Sequence, residues 1–398
     1  MKTHPFSILH SADWHLRDKD IDECQRCCDH VVATAKKEAP DLVVIAGDIF
    51  HSQEIKLDSL SARLAVKTVS ALADIAPVAI VLGTASHDGR APQVMCFAKG
   101  KYDVRVASDP EQIFLYQGCF YESMVGNIKP EAVLTMIPQP TKQYFKSDNG
   151  IGQTDAEISS AMTGLFAGFG ATAQMYSVPH ILVGHFNVSG ARLSNGQVMT
   201  GRDIEVSVDQ LNLTGADLHL LGHIHAAQRL GDRTYYSGSI YHENWGETED
   251  KGFYIHDLDD KDQRDSSFFP TPCKRLARFM FDQTQGEQIN VPADKICGAV
   301  VRIDVSAWQD ETKLINKEEI ITRLKLWGAE EVDIRITPIP RVTVRAAEVL
   351  KADALRDKIL RRAELVGDVI PFETLSAADI LEMTPPDQLV RMVMGGAL

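Results

Sequence analysis

The chain has no apolar run approaching the roughly 18 to 20 residues of a membrane-spanning helix. Its first residues, MKTHPFSILHSADWH, are polar where a secretory signal would be apolar, so a cytoplasmic location is expected. Cysteine is sparse: seven, an odd number scattered over 398 residues, make a poor disulfide framework and predict reduced thiols. Cys24, Cys27 and Cys28 fall in a helical stretch with no second cysteine pair, which favours buried thiols over structural zinc. There is no Walker-type phosphate loop, so the chain is not expected to hydrolyse ATP itself. VSGARLS and YSGSI lack the G-x-S-x-G elbow of a serine nucleophile, which sets that chemistry aside. Basic residues are in deficit, with a net charge of −14. A broadly basic nucleic-acid surface is therefore not expected, although local patches and bound cations can override the total.

What is present is enough apolar content, 44%, for a sizeable core and more than one domain. From residue 1 to about 270, short apolar strands alternate with helical stretches, the pattern of a layered α/β (α+β) architecture. FSILHSADWH, DLVVIAGDIFH, VAIVLGTASHDG, HILVGHFNVSG and LHLLGHIHAAQ each run from an apolar strand into a polar or glycine-containing end. Residues 271–340 read as a small strand-rich unit with one helix, NKEEIITRLKLWGA. Residues 341–398 read as a helical tail, in which Leu355, Ile359, Leu360 and Ala363 share one face that a partner's helices could cover.

The polar residues collect at the strand ends, where open α/β sheets place their sites. They are Asp13 and His15, Asp48 and His51, His87 and Asp88, His185, His223 and His225. Any one of these histidines is compatible with a buried ring bonded to a carbonyl, but repetition at five strand ends points to metal ligation. Asp and His together suit manganese, iron or zinc, with a carboxylate able to bridge two ions. Such a pair suits phosphodiester cleavage, because it activates water and clamps oxygens as charge develops.

The motifs Asp13-Trp14-His15, Gly47-Asp48, His87-Asp88, Gly184-His185 and Gly222-His223-Ile224-His225 resemble those of the calcineurin-type metallophosphoesterases. SADWHL, GDIFH and YYSGSIYHENWGETEDKGF are similar to the SbcD branch, the nuclease subunits of SbcCD-type double-strand-break repair complexes. The resemblance implies a four-layer β-sandwich flanked by helices, with residues 271–340 as a DNA-recognition cap. It implies two divalent cations, most often manganese: Asp13, His15, Asp48 and His225 for the first, and Asp48, His185 and His223 for the second. His87 would assist catalysis, and His51 would help position phosphate or leaving group. DNA, a second copy of the chain and an SbcC-like ATPase bound through the tail are the implied partners.

One motif departs from the pattern. Where the resemblance calls for Gly-Asn-His, this chain has Gly83-Thr84-Ala85-Ser86-His87. Counting back from His87 nominates Ser86 as the replacement metal ligand, with Thr84 or a backbone carbonyl as alternatives; a neutral hydroxyl should hold the second ion less tightly. A phosphomonoesterase, a nucleotide phosphodiesterase and a noncatalytic interaction subunit are the competing functions.

Overall fold

A computed structural model describes residues 5–126, 128–140, 155–194, 204–258, 264–341, 349, 351–386 and 388–390. Its centre is a pair of stacked sheets. In the first, the strands run in the order Arg264–Pro270, Gly252–Leu258, Phe6–Ser11, Leu42–Ile45, Val78–Val81 and Val104–Ala107. The last four are mutually parallel, and Leu42–Ile45 and Val78–Val81 are buried throughout, as expected of strands covered on both faces. The second sheet has the order Gln228–Leu230, Thr234–Tyr236, Leu218–Gly222, His180–His185, Ala132–Ile137, Glu111–Tyr116 and Cys119–Tyr121.

Successive side chains of a strand point to opposite faces, so neighbours join different cores. Ile8, Leu42, Val44 and Ala79 meet Leu134, Ile181, Val183 and Leu220 between the sheets. Leu9, Val43, Ile45 and Ile80 face the other way, against α1 (Ile21–Glu38) and α2 (Leu60–Ala73). Cys24, Cys27 and Cys28 of α1 are fully buried in that core, unbridged, and pack there with its apolar side chains. Burial pushes the Cys28 thiol far above its ordinary range, which keeps it unreactive. On the far side, Ile137, Leu182 and Leu221 pack with Met162 and Phe166 of α3 (Asp155–Ala173) and Leu211 of α4 (Val208–Asn212). The result is the expected four-layer order, helix, sheet, sheet, helix.

The chain divides into two compact units. The first comprises residues 1–281, 288–304 and 316–335, and the second residues 282–287, 305–315 and 336–398. The strands Arg275–Asp282, Ala299–Trp308 and Glu331–Ile339 form a three-stranded sheet with Ala299–Trp308 in the middle. That strand buries Val301, Ile303, Val305 and Ala307 at alternate positions, and α5 (Lys317–Leu326) buries Ile320 and Leu324. In the second unit, α6 (Leu355–Val366) and α7 (Phe372–Met383) are tied by Arg356 to Asp379 and by the Leu355 N–H to the Glu382 carboxylate, 3.0 Å.

Candidate metal centre

The strand ends converge as the sequence predicts. Asp13 and His15 follow Phe6–Ser11, Asp48 and His51 follow Leu42–Ile45, His87 and Asp88 follow Val78–Val81, and His185 ends its strand. Asp13, His15 and Asp48 adopt left-handed backbone angles, φ 51°, 42° and 52°, and His223 has φ 91°. Such angles cost non-glycine residues about 1–3 kcal/mol each and persist where surrounding contacts over-determine them. Those contacts are present: the Asp13 N–H donates to the Gly47 carbonyl and the His15 N–H to the Asp48 carbonyl, both 3.0 Å. The Tyr241 hydroxyl donates to the His15 carbonyl, 2.6 Å, and the His223 N–H to the Asp13 carboxylate, 3.0 Å.

Three candidate groups result: His15, His51 and His87 form one, and the other two share Asp13. Asp13, His15 and His225 each bring one donor atom within 4.8 Å of the others, and so do Asp13, Asp48 and His185. Asp48 Oδ2 lies between them, 3.9 Å from His15 Nε2 and 3.3 Å from His185 Nε2. The His223 ring stands 5.2 Å from that of His185, centroid to centroid. His185 donates from Nδ1 to the Ala46 carbonyl, 2.7 Å, which turns its Nε2 toward Asp48. His225 gives Nδ1 to Glu247 Oε1, 3.0 Å, which turns its Nε2 toward His15 Nε2, also at 3.0 Å. Two buried imidazole nitrogens aimed at each other across that distance suit a cation shared between them. The donor set fits a pair of divalent transition metals.

Electrostatics agree. Burial pushes the Asp13 carboxyl up to about 6, against the pull of His185 and His225. Burial also works to raise Asp48, but the charge and hydrogen bond of His185 and the charge of His15 hold it well below the usual range. His15 and His223 are lowered to about 3, chiefly by burial, which leaves them neutral as metal ligands require. For His185, burial is outweighed by the charge and hydrogen bond of Asp48, which carry it up to about 9.

The Gly83–Gly89 loop resolves the substitution. Thr84, directly after Gly83, donates from its N–H to Asp48 Oδ1, 2.6 Å, and from Oγ1 to Asp48 Oδ2, 3.1 Å; the same hydroxyl lies 3.3 Å from His185 Nε2. A side chain at Gly83 is impossible, because its Cβ would lie 2.2 Å from Asp48 Oδ1. The two extra residues are absorbed in a helical turn, with the His87 and Asp88 N–H groups donating to the Thr84 carbonyl at 2.9 and 2.8 Å. That turn carries Ser86 outward: it is exposed, and its carbonyl accepts from the Gln53 N–H, 3.0 Å. The structure therefore does not bring Ser86 to the cluster, and the hydroxyl that faces it is that of Thr84. Counting from the glycine, rather than back from His87, finds it.

His87 and His51 stand beside the cluster, with ring centroids 4.7 and 6.3 Å from that of His15. His87 donates from Nδ1 to the His51 carbonyl, 2.7 Å. Two further carboxylates support the site in ways the motifs do not indicate. Asp88, fully buried, accepts from the Asp48, Gly83 and Phe50 N–H groups at 2.9, 2.9 and 3.0 Å. Glu247, also fully buried, orients His225 and pairs with the buried Lys251, 2.8 Å. Their roles depend on burial in loops, which strand periodicity does not report.

The calcineurin-like phosphoesterase profile matches residues 6–227, from the first strand to just past His225. The chain belongs to the calcineurin-like phosphoesterase family. Among curated relatives, it is 24% identical over 285 residues to the SbcD subunit of the SbcCD nuclease of Staphylococcus epidermidis, which covers 68% of this chain and 71% of the relative. It is also 24% identical over 291 residues to the SbcD protein of Staphylococcus saprophyticus, covering 68% and 70%. Among solved structures, GAP50, the anchor in the inner membrane complex of Plasmodium, aligns at a TM-score of 0.42 with 14% identity, covering 69% of this chain and 90% of that one. No helix among the described residues is long and apolar enough to cross a membrane.

Proposed function

We propose that the chain is a manganese-dependent DNA nuclease of the SbcD type, an exonuclease on ends and an endonuclease on single strands and hairpins, acting in double-strand-break repair. The observation that carries this reading is the juxtaposition of two ligand groups sharing Asp13 with two histidines, His51 and His87, beside them. Asp13, His15, Asp48 and His225 would hold one ion, and Asp48, His185, His223 and the Thr84 hydroxyl would hold the other. When bound, the metal pair supplies Lewis acidity that makes water nucleophilic at neutral pH and offsets charge on phosphate oxygens. With its Nδ1 committed to the His51 carbonyl, His87 has Nε2 left to stabilise or protonate the leaving oxygen.

Residues 271–340 serve in this reading as the DNA-recognition cap, and the helical tail as the docking segment for an SbcC-like ATPase. The tail's apolar surface supports the second role: Leu360, Val369, Phe372 and Leu381 are exposed, while only Ala363 and Ala378 are buried in the two helices. The ends of that expected segment, residues 345–348 and 391–394, lie outside the described residues. A homodimer and a cytoplasmic location complete the reading, and the relatives' names support the partnership. With a net charge of −14, much of the grip on DNA would fall to the partner.

The deciding assay offers the purified protein, with manganese, single-stranded, blunt and hairpin DNA alongside p-nitrophenyl phosphate. DNA cleavage with little monoester turnover is expected. Preference for the monoester, or no turnover of any of these, overturns the proposal.

A further inference from the structure

The two histidines beside the metal centre are anchored differently. His87 is fixed by backbone, through the His51 carbonyl. The His51 ring is met instead by a side chain: its Nδ1 lies 2.8 Å from Glu243 Oε1, at an angle off the ideal hydrogen-bond axis. The same oxygen accepts from Arg17 Nη1 at 2.8 Å, and Arg17 is itself held by Asp20 through Nε. Below the carboxylate, the Glu243 N–H donates to Glu247 Oε2, 2.8 Å. The Arg17 guanidinium also stands 5.8 Å from the centre of the Tyr241 ring, whose hydroxyl holds the His15 carbonyl. Glu243 is thus fixed at both backbone and side chain, and it is largely buried at 13% side-chain exposure, whereas His51 is open at 41%. An exposed ring backed by a buried, doubly anchored carboxylate is a side chain held ready for something outside it.

Within the phosphodiesterase reading, on which this rests, we propose that Glu243 is a positioning residue for His51 and that Arg17 fixes Glu243 in turn. With Nδ1 turned toward Glu243, Nε2 is the atom offered to a phosphate or leaving oxygen. Holding a reacting group in one orientation lowers the entropy lost on reaching the transition state, and small misplacements cost up to about a hundredfold in rate. Arg17 and Glu243 lie far apart in the chain, and neither is in a strand-end metal motif, so nothing in the motif pattern assigns them.

The test measures turnover of bis(p-nitrophenyl) phosphate with manganese by the full chain, by Glu243→Ala, Glu243→Gln and His51→Ala, and by the His51→Ala/Glu243→Ala double variant. Calorimetry counts the manganese bound. Glu243→Ala is expected to lower kcat roughly 10- to 100-fold with KM within about threefold and manganese stoichiometry unchanged. Glu243→Gln keeps an acceptor for Nδ1–H and should recover to within about threefold of the parent. In the double variant, the Glu243 change should cost nothing beyond His51→Ala, because coupled residues are not additive. An unchanged kcat in Glu243→Ala, no recovery in Glu243→Gln, or the same fractional loss with and without His51 overturns the proposal. Should Glu243→Ala not fold, Arg17→Ala in the same two backgrounds decides: a loss only when His51 is present upholds it, and an equal loss or none in both overturns it. If the parent turns over no diester while binding manganese, the phosphodiesterase reading itself has failed.

Discussion

Replacing Asp88 should separate the scaffold of the site from its ligands. The carboxylate is fully buried and accepts three backbone N–H groups, from Asp48, Phe50 and Gly83, so one side chain ties together the ends of two adjacent strands. Asp88→Ala leaves three buried donors unsatisfied, each costing about 1–3 kcal/mol. Water entering the vacated space offsets part of this, giving a net loss of roughly 3–5 kcal/mol, or a fall in Tm of roughly 6–10 °C at about 2 °C per kcal/mol. Asp88→Asn adds a test of sign. Burial, reinforced by the charge of Asp48, pushes the Asp88 carboxyl up to about 7 in the metal-free protein. A carboxyl raised on folding stabilises most when protonated, and that contribution is lost as pH rises toward 7. The cost of Asp88→Asn should therefore be about 2–3 kcal/mol larger at pH 5 than at pH 8, at 1.36 kcal/mol per unit. Thermal and denaturant melts of the metal-free variants across that range provide the measurement. If Asp88→Ala melts within 1–2 °C of the parent, or if the Asp88→Asn cost grows with pH instead, the carboxylate does not hold these loops.

Thr84→Ala should weaken the looser of two manganese sites by roughly 10- to 100-fold, while Ser86→Ala leaves both within about twofold; a titration in which Ser86→Ala does the damage reverses the assignment. His87→Ala should lose at least about a hundredfold in diester cleavage yet bind metal like the parent, whereas Asp48→Ala should lose both ions; equal metal loss in the two variants contradicts that division. Glu247→Ala removes the partner of His225 and one of the two carboxylates paired with the buried Lys251, so it should destabilise the fold by about 1–3 kcal/mol and loosen the ion that His225 would hold; a Tm and affinity equal to the parent's refute this. Deleting residues 345–398 should abolish capture of an SbcC-like ATPase while leaving single-strand cleavage intact, and an unchanged interaction removes the tail's proposed role.

The layered core is legible in the sequence because it rests on local regularity. Fully apolar four-residue strands such as Leu42–Ile45 and Val78–Val81, separated by amphipathic helices, leave little choice but buried parallel strands between helical layers. The candidate ligands are legible for a related reason: each lies at or just past the end of an apolar strand, and such ends meet at one edge of the sheets. Glu247, Glu243 and the three-way grip of Asp88 are not, because they act from irregular loops whose path no strand or helix periodicity reports. Counting back from His87 leads to Ser86, which the structure leaves exposed, because the count assumes that an insertion lengthens the loop evenly. The backbone instead coils the extra residues into a turn and keeps the position after the glycine unchanged.

The strand Phe6–Ser11 lies between Leu42–Ile45 on one side and Gly252–Leu258 on the other, and its loop is fastened by His223 and Tyr241. This has a consequence for biosynthesis. At roughly 5–20 residues per second, the ribosome makes the first strand some 12–50 seconds before the strand that completes its edge. Until their partners are made, Asp13 and His15 lack the His223 and Tyr241 contacts that complete the hold on their strained angles. A phosphoester-cleaving centre that assembles only after residue 250 has left the tunnel stays inactive through most of the chain's synthesis. Termination between His225 and Gly252–Leu258 would likewise yield a fragment that carries the motifs without the strand that flanks Phe6–Ser11.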